Sequence, residues 1–97
     1  AHMPSTEQTL RLTVAALMRL TGERQADLAD GLRLNQAQVS RKQGGSASWS
    51  LDDIDRLSAH YGIPVCDLLA GVDRAVRCLP ARRYAPAPGA AQLTIAP

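Results

Sequence analysis

Apolar residues recur at helical intervals along most of this chain. Leu10, Val14, Leu17 and Met18 form one stripe and predict a helix from about Thr6 to Leu20. Ser5 supplies an N-cap and Gln8 follows three residues on, the spacing of a capping box, while Thr21-Gly22 ends the element. A second helix covers about Arg24 to Leu32, with Leu28, Ala29 and Leu32 inward. Asn35 caps a third that runs to about Gln43 and stops at Gly44-Gly45. Ser50 with Asp53 forms a second capping box and opens a fourth helix from Leu51 to Tyr61, whose expected inward positions are Leu51, Ile54, Leu57 and Tyr61. Gly62 terminates it. Ile63-Pro64 then starts a short fifth helix, in which Val65, Leu68 and Leu69 close the bundle near Gly71. Five helices with short connections predict a compact all-α domain.

The C-terminal part reads differently. Residues 4–72 are assigned to the helical domain and 73–97 to an extension, and Ala1-His2 before Met3 is taken as a cloning scar. Val72 to Leu79 allows one or two further helical turns before Pro80, Pro86 and Pro88 forbid a long helix. Beyond it, the Ala and Pro content suits a disordered extension. The alternative is a short β-ribbon, with Arg82–Ala85 pairing with Gln92–Ile95.

Composition narrows the class. Hydrophobic residues make up 45% but aromatics only 3%, so the core must be built from Leu, Val, Ile and Ala, which favours helices over sheet. The sequence shows neither a long apolar run nor a signal-peptide pattern, which predicts a cytoplasmic protein with no membrane partner. Cys66 and Cys78 match no zinc spacing and read as free thiols; no metal or other cofactor is expected. The net charge of +2 conceals an asymmetry, since Met3 to Asp73 holds seven Arg and Lys against nine Asp and Glu, and Arg74, Arg77, Arg82 and Arg83 come after it with no acid. Nucleic-acid binding therefore has to be argued from where charge sits, and Arg33, Arg41 and Lys42 sit in or beside the third helix.

The second and third helices, joined by a tight turn, have the form of a helix-turn-helix, whose second helix enters the DNA major groove. Gln25 to Leu69 resembles the phage repressor and Cro family of helix-turn-helix proteins, the XRE family. Gln25, Leu28 and Ala29 match its second helix. Asn35, Gln36, Val39 and Ser40 match its third, Gly45 its closing glycine, and Leu51 to Leu69 its last two helices. Four positions depart from the pattern. Arg33 occupies the usual turn glycine, with Gly31 two residues earlier as an alternative bend. Lys42 stands at an often apolar position, where its stem has to snorkel. Gln43 replaces a common Glu and removes a family ion pair. Trp49 replaces a common Pro and reads as an apolar plug between the third and fourth helices.

The resemblance implies a repressor-like regulator that binds double-stranded DNA, as a homodimer on an inverted repeat. Gln36, Ala37, Ser40 and Arg41 share one helical face. Gln36 suits adenine, Arg41 guanine, Ala37 a thymine methyl, and Ser40 either base or phosphate. Asn35 and Gln38 complete the candidate set on this helix. Gln25 resembles the family's phosphate-binding glutamine and could brace Gln36; Arg33, Lys42, Ser46, Ser48 and Ser50 are candidate backbone contacts. Duller readings accompany these: a salt bridge from Arg41 to Asp30, an exposed and idle His60, and dipole compensation by Asp52, Asp53 and Asp55. Dimerisation would use an apolar patch near the fifth helix or Leu93–Ile95, and the four late arginines could form a basic arm. With no phosphate loop, metal cluster or nucleophile–base pair, an enzyme is not expected. The rival reading is an antitoxin or interaction module that binds a protein partner through residues 74–97.

Overall fold

Ser5 caps the first helix as its position predicts. Its Oγ accepts the Gln8 N–H at 3.1 Å, and Gln8 Oε1 accepts the Ser5 N–H at 2.9 Å. The structure is a computed structural model that describes residues 5–86. The helices are α1 (Thr6–Thr21), α2 (Gln25–Leu32), α3 (Gln36–Gly44), α4 (Leu51–Tyr61), α5 (Val65–Leu69) and α6 (Val72–Cys78), followed by a 3-10 turn at Ala81–Arg83. The all-α class is as expected, and no strand occurs among the described residues. None of these helices is long and apolar enough to cross a membrane.

The predicted stripes meet in one core. Leu10, Val14 and Leu17 from α1 pack with Leu28, Ala29 and Leu32 from α2, Val39 from α3, and Ile54, Leu57 and Tyr61 from α4. Ile63 and Leu68 also join it, and Trp49 of the α3–α4 connection is buried in the same core, with its indole N–H bonded to Gln43 of α3. Each fully buried aliphatic side chain contributes about 1.5–3 kcal/mol through removal from water. Leu51 does not join them, for it is 81% exposed. The inward arc of α4 runs through Asp53, Ile54, Leu57 and Tyr61, and burial of Asp53 rotates that arc away from the first helical residue.

Two turns differ from expectation. Gly31 does not carry the bend between α2 and α3. It lies inside α2, and its missing side chain makes room for the His60 ring of α4. The bend is at Arg33 itself, in the left-handed conformation at φ 59° and ψ 38°, with its N–H bonded to Asp30 O at 3.2 Å. The following Leu34 N–H reaches back to Ala29 O at 2.9 Å, which closes α2 as a glycine would have done.

The expected boundary near residue 73 does not end the packed body. Helix α6 lies against α1 and α5 with Ala75 fully buried, and Leu79 is buried behind it. The chain then turns at Pro80 into the 3-10 segment, and Ala85 N–H bonds to Leu20 O at the end of α1 at 2.9 Å. Arg82 and Arg83 are thus in a helical turn rather than the first strand of a ribbon. The proposed second strand, residues 92–95, lies outside the described residues.

Candidate nucleic-acid interface

Helix α3 is fastened from one side and open on the other. Asn35 caps it: its Oδ1 accepts the Gln38 N–H at 2.8 Å, and Gln38 Oε1 accepts the Asn35 N–H at 2.9 Å. Val39 anchors the inner face with no exposure to solvent. Gln36, Ala37, Ser40 and Arg41 are all exposed, and no side-chain hydrogen bond or ion pair engages them among the described residues. The Arg41–Asp30 salt bridge considered as the dull alternative does not form. Four uncommitted side chains therefore face solvent from about the first two turns of one short helix.

Other sequence candidates are placed unequally around this face. Gln25, at the start of α2, is half-buried, and no hydrogen bond joins it to Gln36 among the described residues. Asp27 Oδ2 accepts the Arg24 N–H at 2.9 Å and caps the same end. Arg33 is exposed beside α3. Gln38 is half-buried and its carbonyl is committed to the cap, a pairing readable from the same spacing as Ser5 with Gln8. Ser46 and Ser48 are exposed in the α3–α4 loop. Ser46 Oγ leans on Arg41 O at 3.4 Å, and Ser48 offers its carbonyl inward. Ser50 caps α4, accepting the Asp53 N–H at 3.1 Å.

Lys42 requires correction. Its ammonium is turned away from solvent, 2.6 Å from Asp53 Oδ2 and 3.0 Å from Ser48 O, and lies 5.8 Å from the centre of the Trp49 ring. The side chains of Lys42 and Asp53 are 15% and 6% exposed, so this is an interior ion pair and not a free phosphate contact. Asp53 likewise does more than offset the α4 dipole. Burial alone would raise its carboxyl, but the Lys42 ammonium and the Ser50 hydrogen bonds outweigh this and hold it below the ordinary range. Gln43 itself accepts the Trp49 indole N–H and donates to Arg11 O, both at 3.2 Å, and Glu7 accepts the Trp49 backbone N–H at 3.2 Å.

A second charged cluster lies at the opposite end of α4. His60 is neither exposed nor idle: its side chain is 14% exposed and its Nε2 contacts the Glu23 carboxylate and, at 3.1 Å, Arg83 Nη2. Burial works to raise the Glu23 carboxyl, yet the hydrogen bond to His60 leads the contacts that bring it below its usual range. Burial and the nearby Glu23 charge push the Tyr61 phenol strongly upward. Arg83 is thereby withdrawn from any basic arm, and Arg74 is paired with Asp67 at 2.9 Å. Arg77 and Arg82 remain exposed with no ion pair among the described residues. Both cysteines are free, Cys66 exposed and Cys78 half-buried. The His60 cluster joins residues far apart in sequence, and no local pattern announces it.

Comparison with known proteins agrees with this domain extent. No curated protein and no solved structure matches the chain. The profile of the BetR domain covers residues 8–92, taking in every helix from within α1 through α6 and the turn behind them. The chain belongs to the BetR domain family, a small helical domain family associated with helix-turn-helix regulators.

Proposed function

We propose that this chain is a sequence-specific double-stranded DNA-binding transcriptional regulator, of phage repressor type, that inserts α3 into the major groove. The observation that carries the reading is the open face of α3, where Gln36, Ala37, Ser40 and Arg41 stand exposed with no side-chain bonds among the described residues, on a helix anchored from behind by Val39. Side chains of this kind read base edges: Gln pairs with adenine N6 and N7, Arg with guanine O6 and N7, and Ala packs on a thymine methyl. Arg33, Ser46 and Ser48 flank that face and suit phosphate. The BetR family membership and the resemblance of Gln25 to Leu69 to the XRE pattern support the same reading.

A homodimer on an inverted repeat is part of the proposal, because two such helices reach successive major-groove faces about 34–36 Å apart. The role is binding and not catalysis. Fluorescence anisotropy with a selected duplex tests it: Arg41→Glu abolishes binding at about 150 mM salt, where loose electrostatic association is suppressed, and leaves the fold unchanged. Retained binding by that variant excludes α3 as the reading helix.

A further inference from the structure

The C-terminal end of α3 and the N-terminal end of α4 are joined by one carboxylate. Asp53 Oδ2 accepts both the Lys42 ammonium at 2.6 Å and the Ser50 N–H at 2.9 Å, while the same ammonium holds Ser48 O at 3.0 Å. Three successive parts of the chain therefore converge on a single buried charge pair: the helix carrying Arg41, the loop carrying Ser46 and Ser48, and the cap of α4. Arg41 precedes Lys42 directly, and the Arg41 carbonyl accepts the N–H groups of Ser46 at 3.0 Å and Ala47 at 3.2 Å. A change in the Lys42–Asp53 separation has to be absorbed by the loop or by the roll of α3.

We infer that Lys42 and Asp53 are positioning residues that set the angle at which α3 presents Arg41 and Ser40, and so determine base discrimination without touching DNA. The inference rests on the DNA-reading role proposed for α3. Apolar side chains at these two places would fill the volume, as Trp49 already does beside them, but would not fix one orientation. A buried charge pair is satisfied only in a narrow range of geometry, which is how such pairs confer conformational specificity. The pair also explains why a lysine is tolerated on the inner side of a helix otherwise held by Val39.

The test is the double variant Lys42→Met/Asp53→Asn, which preserves both side-chain volumes and leaves an amide oxygen to accept the Ser50 N–H. Two quantities are read: amide hydrogen exchange in the free protein, and relative affinity for the selected duplex against its single-base variants. Positioning predicts that exchange at Ser46 and Ala47 rises about 10-fold while the Leu57 amide in the core is unaffected, the pattern of local and not global opening. It also predicts that base discrimination falls about 10-fold in the double variant, while the single variant Lys42→Arg, which keeps the charge opposite Asp53, stays within about twofold of the unaltered protein. A merely stabilising pair instead accelerates exchange uniformly and leaves discrimination intact, which overturns the inference. If the double variant does not fold, Asp53→Asn alone is read in the same two ways, since it strands no buried carboxylate and keeps an oxygen for the Ser50 N–H. If the unaltered protein selects no DNA sequence, the DNA reading fails by itself, and exchange at Ser46 and Ala47 alone decides whether the pair orients α3.

Discussion

Arg33 is the one non-glycine residue with positive φ among those described, and the strain should be measurable. A side chain in the left-handed region costs about 1–2 kcal/mol relative to glycine, partly offset by the greater freedom glycine loses on folding. Arg33→Gly is therefore expected to raise stability by about 1 kcal/mol in urea unfolding. If Arg33 meets a phosphate, the same change lowers the salt slope of DNA binding by about 1. Gain in stability with an unaltered slope would remove Arg33 from the interface. Arg41 and Lys42 are neighbours with opposite expected behaviour. Arg41→Ala should leave the melting temperature alone, cost about 1–3 kcal/mol in affinity and relax preference at one base pair, as read by anisotropy on a panel of duplexes. Lys42→Met should instead destabilise the fold by about 3 kcal/mol, because it strands the Asp53 charge, and should leave the salt slope unchanged.

At the scale of elements, the helices were legible because each carries its own punctuation. Ser5 with Gln8, Ser50 with Asp53, and the glycines at 22, 45 and 62 act over a few residues, and all three glycines adopt positive φ at helix ends. The uncommitted face of α3 was legible for the same reason, since the side of a short helix follows from spacing alone. What sequence did not disclose depends on contacts between elements. Lys42 with Asp53, Glu23 with His60 and Arg83, and the seat of α6 on α1 are each decided by how helices dock, and a periodicity count treats Asp53 as polar and Leu51 as core. The Asp53 pairing has a pH signature. Its carboxyl is held lower in the folded state than in the unfolded chain, so its stabilisation is complete above about pH 4 and is lost as pH falls through the folded value. Urea unfolding between pH 7 and pH 3 should show stability falling with acid, and Lys42→Met/Asp53→Asn should flatten that fall. An equal acid dependence in the variant would assign it elsewhere, to Glu23 first, whose carboxyl is lowered in the same sense.

Across the whole molecule, the family match and the packing of α6 both extend the domain past the point where composition changes. The arginines of that region divide accordingly. Arg74 and Arg83 serve the fold, and Arg77 and Arg82 are exposed. Even with those arginines counted the net charge of the chain is only +2, so the proposed DNA binding rests little on overall charge, and the proposal assigns selectivity to the α3 face. The measurement that addresses this most directly is selection of bound duplexes from a random DNA pool at about 150 mM salt, a concentration that disfavours sequence-blind association. Enrichment of an inverted repeat with half-sites about 10 base pairs apart, lost on Arg41→Glu, is the predicted result. A pool that emerges with no enriched sequence would contradict the account.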